Sequence, residues 1–479
     1  MPRDEGDVLA ELTLLVPGCA VDGNPQTKVA GVAPAVSVRP TTVRELEQIV
    51  EWASRRGMAM AALGGGTKLG IGNPPSRLDL VLDMSAMNSV TEYDPEDLVL
   101  TAQAGATIQH LQSMVHEDSL VLPLDPQSGD RATIGGVIAS ADHGPRRRQY
   151  GGLRDLILGL KVVLPDGSLA IFGGRTLKNV AGYDVGKLLI GSLGTIGVIA
   201  EVSVRLLPLP ACEELLLIML PDLEMGRLLV ARILESPLLP SSLELMSPAC
   251  ARLLGLDRHS PAPDGTYLML IALEGHPAAV ERQVRDISSF CAELNLGKTT
   301  APDADRPARG TLGSAPEMAG VAGAQGEMVK PLRASEVGLP PREGWKTFTR
   351  LREKALGSGS GVGFRCTVPL GLIWELAAAV EEHSRASGVE ASYTASCGTG
   401  YVEAYASGSP ASLRTFAEGL RAEAEKRGGA MSVLDGWSAL GGDFDAWGGR
   451  RTDYGLIQAV KQKFDPGGIM NPGRFVGGL

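Results

Sequence analysis

The chain has 479 residues, more than one hydrophobic core usually supports, so two or more domains are expected. Its apolar content of 44% and charged content of 21% are typical of a soluble globular protein. The net charge of −10, from 45 basic and 55 acidic residues, argues against a nucleic-acid-binding protein. The compact basic run Arg146-Arg147-Arg148 is interpreted as a local feature.

The sequence also argues against a membrane-spanning or exported protein. No uncharged apolar run reaches the ~18 residues that a membrane-spanning helix needs. The N-terminus is acidic and lacks the hydrophobic region of a signal peptide. The six cysteines are scattered without a Cys-x-x-Cys pair, so they predict neither a zinc nor an iron–sulfur site and suit a reduced cytoplasmic compartment.

The first predicted helix leads into a glycine-rich turn. Thr42 and Glu45 form a capping box, the apolar spacing predicts a helix up to Gly57, and residues 58–63 predict a strand. Gly64-Gly65-Gly66 follows, and its N–H groups can converge on an anion because no Cβ intervenes. The spacing fits neither Gly-x-Gly-x-x-Gly nor the P-loop. An ordinary glycine-rich loop has the same composition, so the turn alone does not define a phosphate site.

Short strands and helices continue the pattern to a predicted domain boundary at Pro208 and Pro210. A segment of small residues at 132–139 allows close approach to a ligand, although tight helix packing explains it as well. The other predicted elements are strands at 81–84, 98–102 and 198–206, a helix at 108–116, and a β-hairpin from 156–164 and 168–172.

Beyond residue 210, one order of elements occurs twice. Residues 214–294 and residues 362–434 each have a split βαβ order, which predicts two halves of one antiparallel sheet covered by helices. Between them, residues 297–343 are rich in Ala, Gly, Pro and charge without sustained periodicity. They predict a flexible insertion or surface linker.

Five segments carry a resemblance to a known family: 62–70, 125–139, 178–184, 191–199 and 463–475. In this order they resemble the vanillyl-alcohol-oxidase type (PCMH-type) FAD-binding family. The resemblance implies an α+β fold, in which a two-subdomain PCMH-type FAD-binding domain precedes an antiparallel-sheet cap domain of ferredoxin-like repeats. The expected division is an N-terminal segment at 1–35, the FAD-binding domain at 36–210, the cap at 211–455 and a C-terminal tail at 456–479.

The resemblance also implies which residues hold FAD. The pyrophosphate cradle would be Gly64, Gly65, Gly66, Thr67 and Lys68, with Leu69 alongside. The second wall would be Thr133, Gly135, Gly136, Ala139 and Ser140. The flavin and ribityl chain would lie along Gly194, Thr195, Gly197, Val198 and Ile199. FAD has two phosphate charges and a long planar ring, which suit exposed N–H groups and small side chains.

The charged and histidine side chains limit this expectation. Lys68 and Arg148 are candidates for added positive charge, although each could instead be a solvated surface group. The turn holds no His for covalent attachment of FAD, and His143 is a weak substitute, so noncovalent FAD is expected. Related hydroxy-acid dehydrogenases carry a metal-binding His-x-Gly-Asp-Gly-Asn-x-His arrangement, which this chain lacks. Its remaining histidines do not form a ligand set: His110, His116, His259, His276 and His383.

Within the family, the chain is similar to FAD-binding subunits of glycolate-oxidase-type complexes. The resemblance implies a part in oxidising glycolate, or another small D-2-hydroxy acid, beside a catalytic flavin subunit and an iron–sulfur subunit. Location in the cytoplasm is expected, with attachment to the inner membrane surface through partners left open. One alternative is a self-sufficient flavin oxidoreductase for a small hydroxy acid or alcohol. The other is a non-catalytic assembly subunit without flavin.

Overall fold

The computed structural model describes residues 5–175, 184–256, 265–296, 331–337, 339, 341–357, 361–449 and 452–479. Its helices are α1 Glu5–Leu15, α2 Val43–Arg55, α3 Ile108–His116, α4 Ile134–Ser140, α5 Arg147–Tyr150, α6 Leu153–Leu156, α7 Leu223–Leu234, α8 Pro248–Leu254, α9 Pro277–Leu296, α10 Pro341–Phe348, α11 Leu351–Leu356, α12 Ile373–Ser387, α13 Pro410–Lys426 and α14 Tyr454–Phe464. Its strands are β1 Ala20–Asp22, β2 Val36–Arg39, β3 Met60–Leu63, β4 Leu80–Asp83, β5 Val90–Asp94, β6 Val99–Gln103, β7 Leu120–Val121, β8 Ile157–Val163, β9 Leu169–Gly173, β10 Val198–Arg205, β11 Leu207–Pro208, β12 Cys212–Leu220, β13 Ser242–Met246, β14 Tyr267–Gly275, β15 Pro331–Arg333, β16 Gly361–Thr367, β17 Glu390–Ser396, β18 Tyr401–Ser407 and β19 Ala430–Asp435.

The first sheet, in the order β1-β2-β4-β3, places the glycine turn at the end of β3. Strands β2, β4 and β3 are parallel, and helix α2 connects β2 to β3. The predicted capping box is confirmed: Thr42 Oγ1 accepts from the Glu45 N–H at 3.2 Å, and Glu45 Oε2 accepts from the Thr42 N–H at 3.0 Å. The apolar face of α2, including Leu46 and Ile49, is buried against this sheet.

The second sheet has the order β5-β6-β10-β8-β9, and its pairs are antiparallel. The predicted hairpin is confirmed, since β8 pairs with β9 along residues 159–163 and 169–173. Helices α3 and α4 contribute to the apolar core of this sheet. The glycine turn, which follows β3, and the segment that precedes β10 lie where these two sheets meet.

The cap contains one sheet in the order β15-β12-β14-β13-β17-β18-β16-β19, with antiparallel pairs. Its two halves, which follow the predicted repeat, join where β13 pairs with β17. Helices α7, α9, α12 and α13 pack on one face. Helices α8, α10 and α11 pack on the opposite face.

The prediction of a flexible insertion at 297–343 is wrong for its last part. Strand β15 pairs with the neighbouring strand β12, and Arg333 Nη1 lies 3.2 Å from Glu214 Oε2. This short strand depends on a partner more than a hundred residues away, so it leaves no local pattern. Residues 297–330, and residues 178–183 of one family segment, lie outside the described residues.

The C-terminal tail returns to the first sheet beside the glycine turn. The Met60 N–H donates to the Ile469 carbonyl at 2.7 Å, and the Asn471 N–H donates to the Met60 carbonyl at 2.7 Å. Helix α14 is fixed through Lys461, whose ammonium donates to the carbonyls of Thr195 and Met470 and to Asp465. The tail thereby closes one side of the region that the glycine turn faces.

Candidate cofactor site

A cleft of about 850 Å³ lies between the glycine turn, helix α4, residues 192–199 and the C-terminal tail. It brings together all but two of the site residues that the sequence predicted. Thr195 and Val198 are the exceptions: the Thr195 hydroxyl donates to the Ser192 carbonyl at 2.7 Å, and Val198 is buried in the apolar core. The wall also contains residues that the sequence analysis did not assign: Val29, Ala61, Ala62, Met84, Ala104, Ser192, Leu193, Asn471 and Arg474.

The three consecutive glycines are needed for different physical reasons. A Cβ on Gly64 would lie 2.1 Å from the Thr133 hydroxyl oxygen, and one on Gly65 would lie 1.8 Å from the Arg131 carbonyl oxygen. The packing of the protein itself therefore requires these two glycines, whether or not a ligand is bound. Gly66 has φ +70° and no atom closer than 3.8 Å to such a Cβ, so its backbone conformation is the constraint.

The C-terminal tail supplies two polar side chains with unused hydrogen-bonding atoms at the cleft. Arg474 donates through Nη1 to the Leu69 carbonyl and through Nη2 to the Ile71 carbonyl, both at 2.8 Å, while its buried Nε has no protein partner. Asn471 donates to the Leu193 carbonyl at 2.8 Å, and its Oδ1 is likewise buried without a protein partner. Buried polar atoms normally have a partner, so both atoms fit a polar ligand.

The Arg474 guanidinium is a buried cation with little access to water. Burial lowers its pKa to about 10, although Asp435 acts in the opposite direction. It is therefore charged at neutral pH and can face an anionic group of FAD. The segment 463–475 did resemble the family's C-terminus, but no single residue in it had been assigned to the site. The resemblance of this segment was therefore the sequence signal that could have pointed to Arg474 and Asn471.

The two basic side chains expected to face phosphate have other roles. The Lys68 ammonium lies 2.8 Å from Asp142 Oδ2 and donates to the Gln127 carbonyl at 3.1 Å. Burial lowers the pKa of Lys68, and Asp142 opposes that effect. Arg148 is absent from the cleft wall and packs beside Gly398 of the cap. The cleft wall therefore gives no support to Arg148 as a source of added positive charge, and the charge of Lys68 is already compensated.

The described part of the wall contains no His, Cys or Tyr that could attach FAD covalently. His143 lies off the wall, where its Nδ1 accepts from the Leu153 N–H at 3.0 Å. Burial, together with the nearby Arg147, lowers the pKa of His143 to about 4, so the ring is neutral at neutral pH. Noncovalent FAD is consistent with this arrangement.

The described residues show three further features. They contain no group of three or more His, Cys, Asp or Glu side chains that could hold a metal ion. No helix within the described ranges has the length and apolar character to cross a membrane. The six cysteines are free thiols.

Comparisons with known proteins agree with the geometry of the cleft. Residues 34–173 match the family described as "FAD binding domain", and residues 209–329 and 446–475 match "FAD linked oxidases, C-terminal domain". The fold is similar to that of p-cresol methylhydroxylase, with a TM-score of 0.68 at 17% identity over 98% of this chain and 92% of that chain. The two family matches together cover more than half of the chain, which belongs to the FAD-linked oxidases with an FAD-binding domain.

Several curated relatives are named for hydroxy-acid oxidation. The chain is 31% identical to "Glycolate oxidase subunit GlcD" of Bacillus subtilis over 54% of this chain and 55% of that protein. It is 35% identical to "Glycolate oxidase subunit GlcE" of Escherichia coli over 34% of this chain and 47% of that protein. It is also 34% identical to "D-lactate dehydrogenase" of Archaeoglobus fulgidus, over 44% of this chain and 47% of that protein. The chain spans about half the length of these relatives.

Proposed function

We propose that the chain is the FAD-binding subunit of a glycolate-oxidase-like complex that oxidises a small D-2-hydroxy acid. In such a reaction the hydroxy acid loses a hydride to flavin and a proton to a base, giving a 2-oxo acid such as glyoxylate. The two electrons then leave through an iron–sulfur partner, and a catalytic flavin subunit binds the substrate. FAD supplies the hydride acceptor, while this chain's residues bind and orient it.

The observation that carries the proposal is the set of unused polar atoms around a wall of small residues. Gly66 and Gly194 place backbone at the wall, and the same wall includes Arg474 and Asn471, whose Nε and Oδ1 atoms are buried without a protein partner. These groups suit the phosphates and the polar edge of FAD. The names of the relatives favour a hydroxy acid as the substrate class.

The absorption spectrum of the purified chain tests this proposal. Noncovalent FAD predicts a flavin spectrum and release of all FAD on denaturation. Addition of candidate partner subunits should then permit reduction of flavin by glycolate. Colourless protein that does not take up added FAD would favour the alternative of an assembly subunit without flavin. Bleaching of the isolated chain by a hydroxy acid would favour the self-sufficient oxidoreductase.

A further inference from the structure

A network of charged side chains joins the FAD-binding domain to the cap at one end of the cleft. Lys68 and Ser140 line the cleft and also line a small neighbouring cavity. There the Lys68 ammonium lies 2.8 Å from Asp142 Oδ2. From the cap, Arg365 Nη2 lies 3.7 Å from Asp142 Oδ1 and 2.5 Å from Glu403 Oε1.

Neutral side chains complete the hydrogen bonds of Glu403. The amide of Gln127 donates to Glu403 Oε2 at 2.8 Å, and the Tyr405 hydroxyl donates to the same oxygen at 2.8 Å. The Arg352 N–H donates to Gln127 Oε1 at 3.1 Å, which links this layer to helix α11. Glu403 thus has a counter-charge and two further hydrogen-bond donors.

The charges in this network balance one another. Lys68 is compensated by Asp142, and Arg365 is compensated by Glu403, with a second acidic neighbour in Asp142. Arg352 is a third cation that lines the same cavity, and its Nη2 lies 3.1 Å from Asp435 Oδ2. The carboxylates of Asp142 and Glu403 are each only 6% exposed. A bound carboxylate needs an uncompensated cation, because burying an additional unpaired anion carries a large desolvation penalty.

The network also leaves little space. Its cavity encloses about 230 Å³ between atoms, but the centre of a water molecule can occupy only about 10 Å³ of it. That is about the space of a single water. Within the part of the chain that the structure describes, the residues that line the adjacent cleft come from the N-terminal segment, the FAD-binding domain and the tail. The cap therefore meets this end of the cleft through the charge network.

We propose that the network is a closed joint that excludes a hydroxy acid from this end of the cleft. Asp142 and Glu403 determine this specificity, because they neutralise the two cations that a substrate carboxylate would otherwise bind. The inference rests on the proposed function and deepens it, because it gives a physical reason why a partner subunit, and not this end of the cleft, binds the hydroxy acid.

Glu403→Ala tests the joint, because it removes the carboxylate that compensates Arg365 and also frees the space that this side chain fills. Glycolate binding is measured from the rise in melting temperature with glycolate concentration. The variant should bind glycolate about tenfold more tightly than wild type, the effect of one new charge-assisted hydrogen bond. Glu418→Ala is the matched control, because Glu418 pairs with Arg414 on the exposed surface of the same cap. It should behave as wild type.

Asp142→Ala makes the equivalent change beside Lys68, so the test does not depend on one variant folding. Two results would overturn the proposal: anaerobic bleaching of the wild-type flavin by glycolate or D-lactate, or folded variants that bind glycolate no better than wild type. Dithionite should still bleach the wild-type flavin. Purified chain without FAD would contradict the proposed function instead, since the melting-temperature comparison needs no flavin signal.

Discussion

Gly65 is constrained by the protein before any ligand is considered. Its missing Cβ leaves room for the Arg131 carbonyl oxygen, which would otherwise be 1.8 Å away. Loss of FAD after a substitution at Gly65 would therefore not identify the phosphate position by itself. The stability of the FAD-free protein separates the two effects.

Gly65→Ala is expected to lower the melting temperature of FAD-free protein, because a backbone oxygen cannot move aside as easily as a side chain. Overpacking of this kind costs typically about 1–3 kcal/mol. Thermal unfolding of protein stripped of FAD provides the measurement. Gly371→Ala is the control, since a Cβ there meets no atom within 4 Å. An unchanged melting temperature for Gly65→Ala would refute the packing explanation.

Arg474→Gln should weaken FAD binding by about tenfold or more, because one charge-assisted hydrogen bond contributes roughly 1.5–3 kcal/mol. Titration of stripped protein with FAD, followed by flavin fluorescence, measures the dissociation constant. Arg39→Gln is the control, since Arg39 forms an exposed ion pair with Asp83 away from the cleft wall. Equal FAD affinities for the two variants would remove Arg474 from the site.

Helix α14 holds the tail through one buried ammonium group. The three donors of Lys461 reach Thr195, Asp465 and Met470 at 2.6–2.8 Å, so no donor is left unused. Met470 adjoins Asn471, which lines the cleft. The orientation of the tail, and with it one wall of the cleft, therefore depends on a residue outside the cleft.

Lys461→Ala should destabilise the protein by about 3–5 kcal/mol, as expected when one partner of a buried ion pair is removed. It should also lower FAD affinity, because the tail loses its fixed position. Chemical denaturation and FAD titration measure the two effects. Lys463→Ala, an exposed lysine on the same helix, should change neither. Full FAD affinity in Lys461→Ala would mean that the tail is positioned by other contacts.

The pairing of β13 with β17 brings in a buried acid, Glu244, which accepts hydrogen bonds from Ser242 and Ser396. Burial raises its pKa from 4.5 to about 8. The unfolded chain therefore releases this proton at lower pH than the folded chain. Its contribution to stability is complete below pH ~4.5, falls as the pH rises toward about 8, and stays constant above that.

Glu244→Gln removes this titration, so the variant should gain stability relative to wild type as the pH rises from about 5 to about 8.5. One pKa unit corresponds to about 1.4 kcal/mol, which makes the expected difference on the order of a few kcal/mol. Urea denaturation at both pH values measures it. Glu382→Gln, on the exposed side of α12, is the control. A constant difference between Glu244→Gln and wild type across this range would contradict the raised pKa.

Elements with a local pattern were predictable from sequence, and contacts between distant segments were not. The Thr42 capping box, the hairpin of β8 and β9 and the repeated order in the cap each follow from residues close in the chain. Arg474 meets Leu69 only after the whole chain has folded. Strand β15 likewise forms because it pairs with β12, which is distant in the sequence. The compensation of Lys68 by Asp142 is a third such case.

At the scale of the whole molecule, two of the buried polar connections between the FAD-binding domain and the cap centre on an arginine that contacts carboxylates of both domains. One is the network around Arg365. The other centres on Arg146, which binds Asp125 through two hydrogen bonds of 2.5 and 2.8 Å and lies 3.8 Å from Glu274 of the cap. Tyr150 also donates to Glu274. Such buried links are screened little by salt and favour unfolding of both domains together.

Arg146→Gln should uncouple the two domains, because Asp125 and Glu274 then lose the cation between them. A single calorimetric transition is expected for wild type, and two transitions or one broadened transition for the variant, with a loss of about 3–5 kcal/mol. Arg232→Gln is the control, since Arg232 and Glu293 form an exposed pair within the cap. It should keep the single wild-type transition. Two transitions in wild type, or a sharp single transition in Arg146→Gln, would show that these contacts do not couple the domains.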